Sequence, residues 1–401
     1  MNKKVIIVVM ITLAVMGLSN TVFTAPLIED LDFKVTGCGT FVLQGTPKLN
    51  NGTDNNGENN AMYTFDLKLI KEFENNSKIL MRFEGGRGKG LDEKNKLQTY
   101  AVKDKDADPT LNPTADFVQP KITELFYQQS FLNNKFTANI GKLNVKAYFD
   151  NNKYAGSATS QFVTGCFATN QLIDTPKQRL GLRFGYAVVE KLDIDYGYFA
   201  THVDNFDEKG VNIIQATYKP SKKGNYRLYV WSNSGYYYSY RDFKKSGIYG
   251  IGVSADQALC ENIGLFVRIG YRDPSVGKDK DKDSVKKDVP SPFLLWSVGA
   301  QVKGSYWSRT NDTIGLAVGQ IYGSSDYKKY MKTVNIKVNG VDEERNYKDD
   351  AETEIELYYN FAINKYIALS PAIQYFANPR GGNAATNDNA IVYGIRTQIN
   401  F

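Results

Sequence analysis

The sequence predicts an all-β protein, a transmembrane antiparallel β-barrel of about 16 strands with long extracellular loops at one end and short periplasmic turns at the other. Three observations predict it. A short apolar leader heads the chain. The body alternates apolar and polar residues with period two. The links between alternating segments are short and long by turns.

Composition narrows the class first. Mean hydropathy is −0.41, which excludes a bundle of membrane-spanning helices. Lys and Arg number 49 against 43 Asp and Glu, a net charge of +6 that is dispersed rather than gathered into a basic patch. No nucleic-acid partner is expected from that pattern. The one histidine, His202, lacks companions, so a catalytic site, a metal centre or a cofactor site is not expected. Hydrophobic residues make up 42% of the chain, too many for a disordered protein. Tyr 27, Phe 22 and Trp 3 amount to 13%, beside 34 Gly and 12 Pro.

Lys3 and Lys4 precede the apolar run Val5 to Leu18. That run is too short to span a bilayer and suits the core of a signal peptide. Residues 1–25 are therefore read as the exported segment's address, with cleavage after Ser19 as a second choice, and 26–401 as one barrel domain. About seven residues separate Ala25 from the first strand, so no plug domain is expected before the barrel. Export permits disulfides, yet Cys38, Cys166 and Cys260 are odd in number and widely spaced, so no disulfide framework follows.

The alternation gives strands at 33–43, 61–73, 78–87, 122–132, 135–142, 179–188, 191–202, 210–219, 225–234, 246–255, 262–272, 293–302, 312–321, 353–362, 366–376 and 391–401. In the last of these, Ile391, Tyr393, Ile395, Thr397, Ile399 and Phe401 share one face, and Val392, Gly394, Arg396, Gln398 and Asn400 the other. Asn75-Asn76 and Asn133-Asn134 mark tight turns, whereas 44–60, 88–121, 143–178 and 322–352 are long links. A soluble sandwich alternates as well. The leader, the aromatic residues near strand ends (Tyr63, Phe73, Tyr186, Tyr271, Tyr375, Phe401) and the terminal aromatic favour a bilayer. In hydrocarbon a sheet must close, because unpaired edge groups find no water.

Closure makes the polar face a lumen, wide enough at this strand number for an aqueous channel. The inward rows carry Arg82, Glu84, Glu124, Arg179, Arg183, Asp193, Asp195, Arg227, Arg268, Arg272, Glu354, Glu356 and Arg396, with Tyr229 and Trp231. Both charge signs occur. Arg and Glu offer donors and acceptors to hydroxyl groups, and the Trp231 indole offers a stacking face, a set that suits a neutral polyol. Link 143–178 is less charged than the others and contains Phe149, Tyr154, Phe162, Cys166 and Phe167. It is expected to fold inward and narrow the pore. Links 92–116 and 273–292 are strongly charged and have no assigned role. Asp279, Asp281 and Asp283 open like a calcium loop, but Ser284 and Pro290 stand where Gly and Glu are needed. Gly85 to Gly90 is too short for a phosphate loop.

The runs Ile140-Gly-Lys-Leu143, Phe149-Asp-Asn-Asn-Lys-Tyr-Ala155, Gln161-Phe162 and Phe167-Ala-Thr-Asn170 resemble the carbohydrate-selective porin family, OprB. So do Asp312-Thr-Ile-Gly-Leu316, Leu369-Ser-Pro-Ala-Ile-Gln-Tyr375, Asn378-Pro379 and Asp388-Asn-Ala390. The likeness spans roughly residues 120–401. It implies an outer-membrane barrel of a Gram-negative-type bacterium passing small sugars by facilitated passive diffusion, in contact with outer-membrane lipid, as a homotrimer or a monomer. It also implies Arg, Glu and aromatic residues at the constriction, for which Arg82, Glu84, Glu124, Arg179, Arg183, Arg227 and Trp231 are the positional matches. A general diffusion or ion porin and a barrel-type receptor or adhesin stay open as alternatives.

Overall fold

A computed structural model describes residues 32–47, 57–88, 91, 118–174, 179–201, 209–242, 244–277, 291–333, 336–338, 341–343, 348–382 and 389–401. Residues 1–25 (expected to be a signal peptide), His202, link 92–116 and residues 278–290 lie outside the described residues. Sixteen long strands form one closed antiparallel barrel. They are β1 Lys34–Thr46, β2 Glu58–Phe73, β3 Ser77–Gly88, β4 Val118–Phe131, β5 Phe136–Leu143, β6 Arg179–Val189, β7 Leu192–Ala200 and β8 Gly210–Ser221. The second half comprises β9 Gly224–Ser239, β10 Lys245–Ala258, β11 Ile263–Arg272, β12 Pro292–Lys303, β13 Thr313–Gly323, β14 Glu352–Ala362, β15 Ile367–Ala377 and β16 Ala390–Asn400.

Each strand pairs with the next, and β16 returns to β1 with Phe41 opposite Thr397 and Cys38 opposite Asn400. Phe401 completes the seam: its N–H donates to Gly37 O and Gly37 N–H donates to Phe401 O, each at 3.0 Å. A side chain at Gly37 would collide with the Phe401 ring, its Cβ falling 2.5 Å from Cζ. The terminal aromatic is thus part of the closure that removes the sheet's free edges.

Alternation sorts the side chains as expected. On β9, Leu228 and Val230 are exposed outside while Tyr229 and Trp231 are buried inside. On β11, Val267 and Ile269 face out; Phe266 and Arg268 face in. The exposed apolar side chains form the belt that a bilayer would cover, with Phe73, Tyr186, Tyr375 and Tyr393 among the aromatics on it. Asn76, Asn133 and Asn134 take left-handed backbone (φ 58°, 56° and 66°), as the paired asparagines predicted.

Some elements differ from the expectation. β9 runs on to Ser239, where Val276–Gly277 pairs with it, so the tyrosine-rich stretch after Asn233 is strand rather than loop. Long link 322–352 holds a helix, Ser325–Thr333, and a small hairpin of Ile336–Val338 with Val341–Glu343. Between β3 and β4 the register slips, with Arg82 opposite Glu124 and Phe83 opposite Ile122. The extra residue, Thr123, and Glu124 are both buried on the inner side, so the bulge turns two consecutive side chains inward.

The buried apolar side chains do not fill the barrel evenly. They form two clusters on the inner wall, and each is completed by residues from link 143–178.

Candidate channel constriction

The link after β5 folds into the barrel. It begins with a 3-10 turn, Val145–Ala147, capped by Asn144 Oδ1 accepting from Lys146 N–H at 3.1 Å. It returns through a short helix, Gly165–Ala168. Phe149, Tyr154, Phe162 and Phe167 are all buried against the wall. Phe149 meets Phe199 edge-on with centroids 6.2 Å apart, and Phe162 meets Tyr358 edge-on at 4.9 Å. Burial of such rings is the main apolar drive for docking, about 1.5–3 kcal/mol each. Wall glycines make room for it. A Cβ on Gly264 would lie 2.1 Å from the Tyr154 ring, and one on Gly270 would lie 2.3 Å from Asn170 Nδ2.

Polar side chains of the wall satisfy the loop's backbone, which would otherwise be stranded away from water. Arg268 is fully buried and donates from Nε to Asp150 Oδ1 (3.0 Å). Its remaining donors reach three carbonyls: Phe167 O (2.5 Å), Asp150 O (3.2 Å) and Ala155 O (3.1 Å). Asp150 also accepts from Tyr229 OH (2.9 Å) and Asn170 N–H (2.6 Å). Glu356 accepts from the N–H groups of Val163 (2.8 Å) and Thr164 (2.7 Å). Arg396 Nη1 donates to Ala158 O and Gln161 O, both at 2.8 Å. Cys166 Sγ sits 2.6 Å from Glu354 Oε2. Burial, reinforced by Glu354, pushes the Cys166 thiol well above its ordinary value.

These contacts seat the loop against β7 to β16 and leave the side of β1 to β3 open. There a cavity of about 450 Å³ separates the loop tip from the wall. Gly156, Ser157 and Thr159 line it on the loop side; Cys38, Asp66, Lys68, Arg82 and Glu84 line it on the wall. Arg82 is the centre of the wall cluster. It donates from Nε to Asp66 Oδ2 (2.5 Å) and from Nη1 to Glu124 Oε1 (2.9 Å), and it pairs with Glu84 Oε1 (2.5 Å). Further round, Arg183 pairs with Asp195 and lies over the Tyr148 ring, 5.2 Å from its centroid. Burial raises the Tyr148 hydroxyl well above its usual range; Glu124 acts in the same direction and Arg183 against it. Arg227 pairs with Asp256 at 2.6 Å.

The inward residues singled out from the sequence therefore separate into three groups. Arg82, Glu84 and Glu124 come together at the cavity, with Arg183 beside them. Arg179 and Arg227 are half-buried on the inner wall, away from that cluster. Arg268, Arg396 and Trp231 face inward and lie beneath the loop, 0%, 2% and 3% exposed. Trp231 belongs to the apolar cluster that includes Phe149, so its indole has no free face for a ligand. Phe149, Tyr154, Phe162 and Phe167, expected in the constriction loop, are buried where that loop meets the wall. Asp66, Lys68, Ser157 and Thr159 were missing from the candidates. Asp66 and Lys68 alternate with Leu67 and Leu69, a signal that marks them inward. The hydroxyl run Ser157-Ala-Thr-Ser160, at the middle of the least charged long link, marks the tip.

A closed barrel of sixteen strands, crossed by an inward loop that leaves a charge-lined aperture, is a porin. The profile of the carbohydrate-selective porin, OprB family matches residues 117–401, and the chain belongs to that family. It is similar to Porin B of Pseudomonas aeruginosa, 36% identical over 108 residues, a stretch covering 26% of this chain and 23% of Porin B. This chain thus spans under a quarter of that relative in the matched region. Its fold is that of Pseudomonas putida OprB in a high-pH structure, with a TM-score of 0.73 at 17% identity over 94% of this chain and 96% of that one. A mutant Rh. blastica porin is a more distant likeness, with a TM-score of 0.52 at 9% identity over 92% and 100% of the two chains. Family and fold are those of a channel of the outer membrane rather than an enzyme.

Proposed function

We propose that this protein carries small carbohydrates across the outer membrane by facilitated passive diffusion, and that the aperture between the loop tip and β1 to β3 is where they are selected. The observation that carries this reading is the makeup of that aperture. One side offers hydroxyl groups at Ser157 and Thr159; the other offers Arg82 held among Asp66, Glu84 and Glu124. One guanidinium among three carboxylates, with the Lys68 ammonium beside them, presents many donors and acceptors. A neutral polyol can exchange its water contacts for these. The long links face the cell exterior and the short turns the periplasm, and residues 1–25 direct export and are then removed.

The test is swelling of liposomes carrying the purified protein. Mono- and disaccharides should enter faster than uncharged solutes of matched size. Equal rates would reduce the protein to a general diffusion porin, and absence of swelling would remove the channel. Arg82→Met should weaken the preference without closing the pore.

A further inference from the structure

We propose that Arg396 is a positioning residue that holds the loop tip against the wall and so keeps the aperture open. The proposal rests on the reading of the cavity beside Ser157 and Thr159 as the passage.

The loop is anchored on either side of its tip. Arg268 grips Asp150, Ala155 and Phe167. Glu356 and Gln374 grip Val163 and Thr164. Between these anchors the tip, residues 156–161, is a turn bonded mainly to itself. Gly156 and Ser157 N–H donate to Gln161 Oε1 at 2.7 and 3.1 Å, Gln161 N–H donates to Ser157 O at 2.9 Å, and Gln161 Nε2 donates to Lys153 O at 2.8 Å. Such a unit moves as a body. Among the described residues, the side-chain bonds that tie it to the wall run from Arg396 Nη1 to Ala158 O and Gln161 O, and from Asn360 Nδ2 to Ser160 O at the longer distance of 3.2 Å.

Arg396 sits on β16, opposite Val42 of β1 and Ser370 of β15. Arg396 lies four residues along β16 from Asn400, which lines the cavity together with Thr36, Gly37 and Cys38 of β1, so the tip is held at one edge of that space. A tip released from Arg396 has that space to move into. Arg396 is 2% exposed, so removing its side chain adds no width to the passage directly. Any change in permeation must come through the tip, and the expected direction is narrowing. This is opposite to what deletion of a pore-lining arginine does.

Arg396→Met keeps most of the volume and removes the donors. Barrel folding is checked by the mobility shift on heating before electrophoresis. The expected result is lower mean single-channel conductance, stronger current noise, and a disaccharide rate that falls more than the monosaccharide rate. Arg396→Lys should recover part of each. A second readout uses the native Cys38 thiol, which lines the same cavity as Ser157. In a Cys260→Ser background carrying Ser157→Cys, copper-phenanthroline should join residues 38 and 157 several-fold faster when Arg396→Met is added. Cys166 is fully buried and stays out of the reaction. Lys244→Met, at an exposed ion pair with Asp242 in the turn after β9, is the control and should leave conductance and cross-linking unchanged. Unchanged or raised conductance with an unchanged cross-linking rate in folded Arg396→Met overturns the proposal. Should that variant not fold, an Arg396→Lys cross-linking rate equal to that of the parent overturns it instead. Ion current and cross-linking need no sugar, so loss of sugar preference alone would count against the function and not against this role.

Discussion

Asp150→Asn is a near-isosteric change that removes the counter-charge of Arg268. Arg268 is 0% exposed and Asp150 is 6% exposed, so solvent screens neither. Leaving a buried guanidinium without its carboxylate costs about 3–5 kcal/mol. Against this, the four buried rings Phe149, Tyr154, Phe162 and Phe167 each contribute about 1.5–3 kcal/mol to docking. The loop therefore stays seated most of the time, but its opening becomes easier. At about 1.4 kcal/mol per decade, the open population rises by roughly 10²–10³. Hydrogen exchange reads this at the Asn170 amide, whose N–H donates to Asp150 Oδ2 at 2.6 Å. Its protection should drop by that factor, and single-channel current should become noisy. Arg268→Met combined with Asp150→Asn should lose less than either change alone implies, because no unpaired charge remains. Unchanged Asn170 exchange in the single variant, or strictly additive losses in the double, would refute the idea that this pair latches the loop.

Three more expectations follow from the same geometry. Arg82→Met leaves Asp66, Glu84 and Glu124 around the aperture without their shared cation; the reversal potential across a salt gradient should move toward cation selectivity, and an anion-ward or absent shift would contradict the ion-pair reading. Gly264→Ala places a Cβ 2.1 Å from the Tyr154 ring; overpacking of this kind costs about 1–3 kcal/mol, seen as a lower melting temperature with the loop retained. The Cys166 thiol, pushed up by burial, holds its proton more tightly folded than unfolded. Its contribution to stability is complete below the unfolded thiol's value of 9.0 and is lost as pH rises from there toward the folded value. Alkaline melting should be less severe in a Cys166→Ala variant than in the parent, while thiol reagents at neutral pH should reach Cys38 and Cys260 before Cys166.

Strand count and facing were legible in the chain because a bilayer leaves little choice. The outer row is apolar while the inner row is free to mix polar and apolar side chains, so Leu228, Val230, Val267 and Ile269 announce their direction. The closing of the sheet was legible for the same reason, since hydrocarbon tolerates no free edge. That link 143–178 turns inward was readable from its aromatic content and low charge.

What each inward residue does was not readable. Arg183 lies between Leu182 and Phe184, and Arg268 between Val267 and Ile269, so the local pattern treats them alike. One pairs with Asp195 beside the open channel; the other is sealed beneath the loop and spends its donors on Asp150 and three carbonyls. The difference arises from partners 101 to 118 residues away in the chain. Periodicity reports the face on which a side chain sits, because that is set by its own backbone. Whether that face meets water or a folded loop depends on where a distant segment comes to rest, and that is settled by the joint packing of rings, glycine gaps and buried ion pairs.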